Sequence, residues 1–169
     1  MENNFLNFIF LPEISLSLGI LIILLVGLFI KKNSFSIINN VSVLLLIFIC
    51  FLTIYDTEIS FANYHFFFRD SSFVIFFQFI IILGSISSII ISSSYYKDLK
   101  LLKFEIPILV LFSTLGMLVL IGSNNLITMF LGVEMQSLSL YILAAINRDS
   151  IRSSEAGVKY FVLGALSSG

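Results

Sequence analysis

Five stretches of about twenty apolar residues, and the beginning of a sixth, follow one another along this chain with only short polar connections between them. They occupy roughly 11–30, 36–55, 72–94, 105–123, 125–146 and 154–169. A helix needs about 20 residues to cross a hydrocarbon core of about 30 Å, and in lipid its backbone groups must be satisfied within the segment. The pattern therefore predicts an all-α, polytopic transmembrane helix bundle of about six helices, forming one domain over 1–169. Composition agrees: 59% of the residues are hydrophobic, 11% are charged, and the mean hydropathy is +1.10. Soluble domains run at about 45–50% apolar and about 25% charged.

The same composition removes several function classes. A net charge of −1 with scattered basic residues offers no footprint for nucleic acid. The single cysteine, Cys50, excludes a disulfide framework and a metal–thiolate motif. No nucleotide-binding loop, metal cluster or nucleophile with an adjacent base is present, so nothing points to a soluble enzyme and no cofactor is expected in this chain. The first apolar segment has no basic region before it and no small-residue cleavage site after it, and is read as a retained helix. Pro12 and Pro107 fit first turns of helices, where a missing N–H costs nothing. Asn124 and Asn125 form a turn so short that the flanking helices must be antiparallel neighbours.

The loops set an orientation. With the N-terminus outside, the inner loops carry Lys31, Lys32, Lys97, Lys100, Lys103, Arg148 and Arg152, whereas the outer loops carry only Arg69. That asymmetry follows the positive-inside rule. The serine-rich run Ile86–Ser94 is expected to be structural, its hydroxyls bonding back to carbonyls of the preceding turn. His65, beside Phe66, Phe67 and Phe68, reads as part of an interfacial aromatic belt and not as a metal ligand.

Charges inside the apolar segments carry the functional signal. Glu134 stands near the middle of "FLGVEMQSLSLYILAAI", about ten residues or 15 Å from the outer end of its helix. An acidic group at the bilayer centre costs about 2.5–3.5 kcal/mol on insertion scales, so it should face protein or water. Ser137 and Tyr141 follow at i+3 and i+7 and extend Glu134 into one polar stripe. The sixth segment opens with "SSEAGVKYF", in which Glu155 and Lys159 are spaced i, i+4 with the acid first, the favourable order. Burial favours the neutral form of either group and mutual attraction the charged forms, so small changes in separation can load or release a proton. Two readings stand for these residues: a proton relay through Glu134, Lys159 and Glu155, or a static ion pair that clamps two helices. For Lys159 itself, snorkelling back to the inner surface is the plainer reading and pointing inward toward the depth of Glu134 the other.

The stretches "FLGVEMQSLSLYILAA" and "SSEAGVKYFVLGALSSG", with "LPEISL" and "FFFRDSSF" upstream, resemble the subunit 2 family of NADH:ubiquinone oxidoreductase, respiratory complex I. The resemblance is strongest over 104–169. It implies part of an antiporter-like fold of about fourteen helices built from inverted repeats. It further implies a proton-pumping membrane-arm subunit with no redox centre, NADH and ubiquinone acting elsewhere in the complex. Glu134 matches the family's helix-five acid, and Glu155 and Lys159 match charged positions at the start of helix six; the family's central lysines on later helices have no counterpart within 1–169. The implied partners are the lipid bilayer and the other membrane-arm subunits of complex I. A related cation/proton antiporter or hydrogenase membrane subunit is the alternative within transport, and a structural scaffold is the alternative outside it. The Phe- and Ile-rich, Trp-free composition suits an organelle genome, giving an expected location in the mitochondrial inner membrane with the N-terminus on the intermembrane-space side. The last segment, 154–169, would span only about 24 Å, so its helices are expected to continue in further residues or in a separately encoded C-terminal partner.

Overall fold

The computed structural model describes residues 12–30, 34–55, 72–99 and 101–168. Six helices follow in order: α1 (Pro12–Phe29), α2 (Ser34–Tyr55), α3 (Ser72–Asp98), α4 (Glu105–Gly122), α5 (Leu126–Ala144) and α6 (Ile151–Ser168). Five of them, α1 to α5, are long and apolar enough to cross a membrane. The chain is an all-α polytopic bundle, as the apolar segments predict. His65, Lys31, Lys32, Lys100 and Arg69 lie outside the described residues.

Helix boundaries depart from expectation in two informative places. α3 runs to Asp98, four residues past the predicted end at 94, because tyrosines and Lys97 are compatible with helix once it leaves the hydrocarbon. Its 27 residues reach about 40 Å, more than a bilayer core requires. α6 begins at Ile151, three residues before the predicted start. Ser150 supplies the missing signal: its hydroxyl accepts from the Ser153 N–H at 3.4 Å and its carbonyl from the Ser154 N–H at 3.1 Å, the position of an N-cap. Pro12 opens α1 and Pro107 sits in the first turn of α4, both as expected.

Inside the helices the hydroxyls are largely consumed locally. Ser87, Ser92 and Ser93 of the serine run, and Ser85 just before it, donate to carbonyls three or four residues back at 2.8–3.2 Å, so these hydroxyls are satisfied within α3.

α4 is the hub of the bundle, packing against α1, α2, α3 and α5, while α6 packs on α5 alone. The core is an aliphatic cluster contributed by α1 (Leu16, Ile20, Ile23), α2 (Ile38, Leu46, Ile49), α3 (Ile82, Ile89) and α4 (Ile108, Leu111, Leu115, Leu118). Lipid tails are as apolar as these residues, so close packing and interhelical polar contacts must hold the helices together. Two such devices are visible. Gly116 of α4 and Gly132 of α5 face each other so closely that a Cβ on either would lie 2.7–2.9 Å from backbone atoms of the other helix. Between α1 and α3, the buried Gln78 donates from Nε2 to Glu13 Oε1 at 2.8 Å.

The α4–α5 turn is fixed by Asn125, whose side chain accepts from the Thr128 N–H at 2.8 Å and caps α5. At its other end α5 is capped from two directions. Lys103 Nζ donates to the Ile146 carbonyl at 2.7 Å, and Ser153 Oγ donates to the Ala144 carbonyl at 2.7 Å. A cation at a helix C-terminus is favoured by the macrodipole, and here it ties the α3–α4 connection to the α5–α6 connection.

Candidate functional site

The polar residues of α5 divide between two faces. Toward α4 lie Gly132, Gln136 and the buried Ser139, whose Oγ donates to the Met135 carbonyl at 2.9 Å. Glu134, Ser137 and Tyr141 occupy the opposite strip, since seven residues return a helix to nearly the same angle. Its Tyr141 end packs against α6. The Tyr141 ring is buried and packs edge-on against Tyr160, with centroids 4.7 Å apart, and against Phe161 at 5.9 Å.

Glu134 sits close to the middle of the 19-residue α5 and is half-buried. Among the described residues its carboxylate has neither a hydrogen-bond partner nor an ion-pair partner. Ser137 Oγ donates to the Glu134 backbone carbonyl at 3.0 Å, so that hydroxyl leans back along the strip toward the acid. The strip thus sets a carboxyl at mid-helix beside a hydroxyl and a phenol, with no cation against it among the described residues.

Glu155 and Lys159 do meet, at 2.5 Å, in the i, i+4 pair expected from their spacing. Both are exposed, at 57% and 69% of their side-chain area. Ser153, Gly157, Tyr160 and Gly164 form the strip of α6 that touches α5, which puts Glu155 and Lys159 on the far side of that helix. The packing of Gly157 against Ala145 and of Tyr160 and Phe161 against Tyr141 sets an antiparallel register in which Lys159 is level with Leu143. Nine residues separate that level from Glu134, about 13 Å along the axis. The structure thus brings Glu134, Ser137 and Tyr141 onto one face and Glu155 and Lys159 into one ion pair, but it does not bring Lys159 to Glu134.

At the α5–α6 connection an open groove of about 500 Å³ lies against the ion pair, lined by Arg148, Asp149, Ile151, Ser154, Glu155, Val158 and Lys159. Its walls carry both signs of charge and connect Lys159 to the solvent side of the α5–α6 connection. No group of three or more metal-ligating side chains occurs among the described residues.

Three contributors to the site were not apparent from sequence. Gly164 takes the Tyr141 hydroxyl into the space a side chain would fill, and Lys103 and Ser153 fix the inner end of α5. The spacing of Ser153 from Ala144 was available in the sequence, but nothing in it signalled the Gly164 contact, which depends on how α5 and α6 register.

Residues 123–169, which include all of α5 and α6, match the family described as NADH:quinone oxidoreductase/Mrp antiporter, TM. The full chain is similar to NADH-quinone oxidoreductase subunit N of Pelagibacter ubique, with 46% identity over 173 aligned residues, covering 100% of this chain and 35% of that protein. The subunit N of Bartonella bacilliformis is 42% identical over 163 residues, 94% of this chain and 32% of that one. That of Beijerinckia indica is 42% identical over 159 residues, 94% and 33% respectively. The chain spans about a third of the length of these curated relatives. In sequence it belongs to the subunit N family of NADH-quinone oxidoreductase, the bacterial counterpart of the subunit 2 family it resembles.

Proposed function

We propose that this chain is part of the membrane arm of a proton-pumping NADH:quinone oxidoreductase and supplies one stretch of a proton path, with Glu134 as its titrating group. The observation that carries the proposal is the carboxylate itself: half-buried, at the middle of a membrane-length helix, and without a partner among the described residues. A clamp requires a bond between helices. The Glu155–Lys159 pair closes within α6, and Glu134 makes no bond to another helix among the described residues, so the geometry favours exchange over clamping.

The division of the charges suggests a division of labour. Glu134 serves the α5–α6 seam, and Lys159 with Glu155 serves the inner approach through the groove at Arg148 and Ser154. Any group that exchanges protons directly with Lys159 must come from protein packed on the far face of α6. A pair buried against lipid there would be costly, so that face is proposed to meet the remaining helices of a subunit N-like protein, whether in the same polypeptide or in a partner chain. Other membrane-arm subunits are the remaining proposed partners, and the chain itself carries out no redox chemistry in this account.

The membrane is proposed to be the mitochondrial inner membrane, on the strength of the Phe- and Ile-rich, Trp-free composition. The relatives named above are bacterial, and a bacterial plasma membrane would place the chain in the same orientation relative to the pumped side.

Replacing Glu134 tests the function directly. Glu134→Gln keeps size and polarity but cannot titrate, and is expected to lower protons pumped per electron while leaving the amount of assembled complex unchanged; Glu134→Asp is expected to retain part of the activity. Normal pumping by the Gln variant would refute the role, and loss of assembly with normal pumping per complex would establish the clamp instead.

A further inference from the structure

We infer that the Tyr141 hydroxyl is the next group on the proton path after Glu134, and that Gly164 is the positioning residue that holds it there; the inference rests on the proton-path reading above. The Tyr141 ring is 9% exposed, wedged between α5 and the Tyr160 and Phe161 rings of α6. Its hydroxyl lies where the side chain of residue 164 would otherwise be, so that a Cβ at Gly164 would overlap it. Side chains on a helix lean toward its N-terminus, and in the antiparallel register of α5 and α6 Gly164 is level with Leu138. The phenol therefore reaches back almost a full turn, past its own backbone, to the level of Leu138.

From there the Cα of Glu134 is four residues away, about 6 Å along the axis, on the same strip of the same helix. Ser137 stands between them and bonds back to the Glu134 carbonyl. By the same lean the Glu134 carboxyl points on toward the helix N-terminus, so the phenol and the carboxylate are joined through a short chain of waters, each costing little more than a direct hydrogen bond. The transfer balances without any further reagent. The phenol gives its O–H proton through these waters to the carboxylate as its oxygen accepts a proton from a water on its other side. The phenol ends as it began, and one proton has moved toward Glu134. Run in reverse, the same steps empty the acid.

Gly164 makes room for this hydroxyl and for the edge of the ring that carries it, Cζ lying 2.5 Å from where its Cβ would be. With any side chain at 164 the phenol has to swing out of the seam or the helices have to part. Proton-transfer groups of this kind contribute about 10²–10⁴-fold to a rate where they act alone. Parallel water access to Glu134 reduces that, and a loss of about tenfold in the pumping rate per complex is taken as the expected effect of Tyr141→Phe.

The test is a cycle of Tyr141→Phe, Gly164→Ala and the double variant in the assembled complex, with Glu134→Gln measured beside them. Tyr141→Phe keeps the ring packing against Tyr160 and Phe161, so assembly is expected to stay normal while pumping per complex falls about tenfold. Gly164→Ala is expected to cost stability in both backgrounds, since its Cβ also meets Tyr141 Cζ at 2.5 Å, but to lower pumping per complex only in the tyrosine background, where a hydroxyl is left to displace. Fluorotyrosine at position 141 retains ring and hydroxyl with a more acidic phenol. It is expected to preserve pumping and move the alkaline limb of its pH profile to lower pH, a change that a packing role would not produce. Full pumping by Tyr141→Phe alongside impaired pumping by Glu134→Gln would overturn the assignment of Tyr141 and leave the function standing. Full pumping by both would overturn the function as well. Losses that multiply in the double variant, or an unmoved pH profile with fluorotyrosine, would overturn the positioning role of Gly164 and the relay role of Tyr141 respectively.

Discussion

A single methyl group at Gly132 should loosen the seam on which the position of Glu134 depends. Gly132 lies against α4 two residues before the acid, and a Cβ built there falls 2.8 Å from Leu120 N, 2.9 Å from Gly116 O and 3.0 Å from Leu120 Cα. All three atoms are backbone, so no side chain can swing away to make room. Ordinary van der Waals contact begins near 3.4 Å, and α4 and α5 must separate by about half an ångström along much of their shared length. Overpacking of this kind costs about 1–3 kcal/mol. In a domain of this size each kcal/mol moves Tm by about 2–4 °C, so Gly132→Ala is expected to lower Tm by several degrees. Gly116→Ala should cost a similar amount, since its Cβ meets Gln136 N at 2.7 Å and Gly132 O at 2.8 Å. The double variant should cost less than the two together, because the first methyl already opens the seam the second needs. Gly84→Ala is the internal control: nothing lies within 4 Å of its Cβ, and relief of glycine's helix penalty predicts a change of about 0.5–1 kcal/mol in the stabilising direction. The assay is thermal unfolding of the purified assembly in detergent, followed by tryptophan-independent probes such as near-ultraviolet tyrosine dichroism or thiol exposure at Cys50. An unchanged Tm for Gly132→Ala, or an equal drop for Gly84→Ala, would refute the close α4–α5 crossing.

Two further outcomes follow from local geometry. Asn125→Ala removes the side-chain acceptor for the Thr128 N–H and is expected to destabilise the start of α5 by about 1 kcal/mol, seen as faster hydrogen exchange confined to residues 126–129. The inner-loop excess of basic residues predicts that a cysteine at the exposed Asp149 reacts with a membrane-impermeant reagent only from the inner compartment, and one at Asn124 only from the outer; the opposite pattern would invert the topology.

Much of the architecture was legible in the sequence because a bilayer imposes so few solutions on an apolar chain. Twenty-residue segments, two prolines at helix starts and an Asn-Asn turn were enough for the bundle and its hairpins. α6 starts at Ile151, ahead of the expected 154, because Ser150 caps it, a role that no apolar pattern signals. α3 continues through Tyr95 and Tyr96 to Asp98, past the expected 94, because a helix need not stop where its apolar run does. In the site, the face shared by Glu134, Ser137 and Tyr141 follows from spacing alone. The side of α6 that carries Lys159 does not: α6 has apolar residues all round, and only the contacts of Gly157 and Gly164 with α5 decide which way the ion pair points. The fit of Tyr141 onto Gly164 belongs to the same class, since it is a property of two helices in register and of neither sequence by itself.

Whether Glu134 gains and loses a proton during turnover can be observed directly by infrared difference spectroscopy of the assembled complex as quinone is reduced. A protonated carboxyl buried in an apolar helix bundle has a carbonyl band separate from ionised carboxylates and from amides. The account predicts a difference band of this kind that shifts to lower frequency in D₂O and is absent from Glu134→Gln, while the remaining bands persist. A spectrum from Glu134→Gln identical to that of the unaltered chain would contradict the central claim.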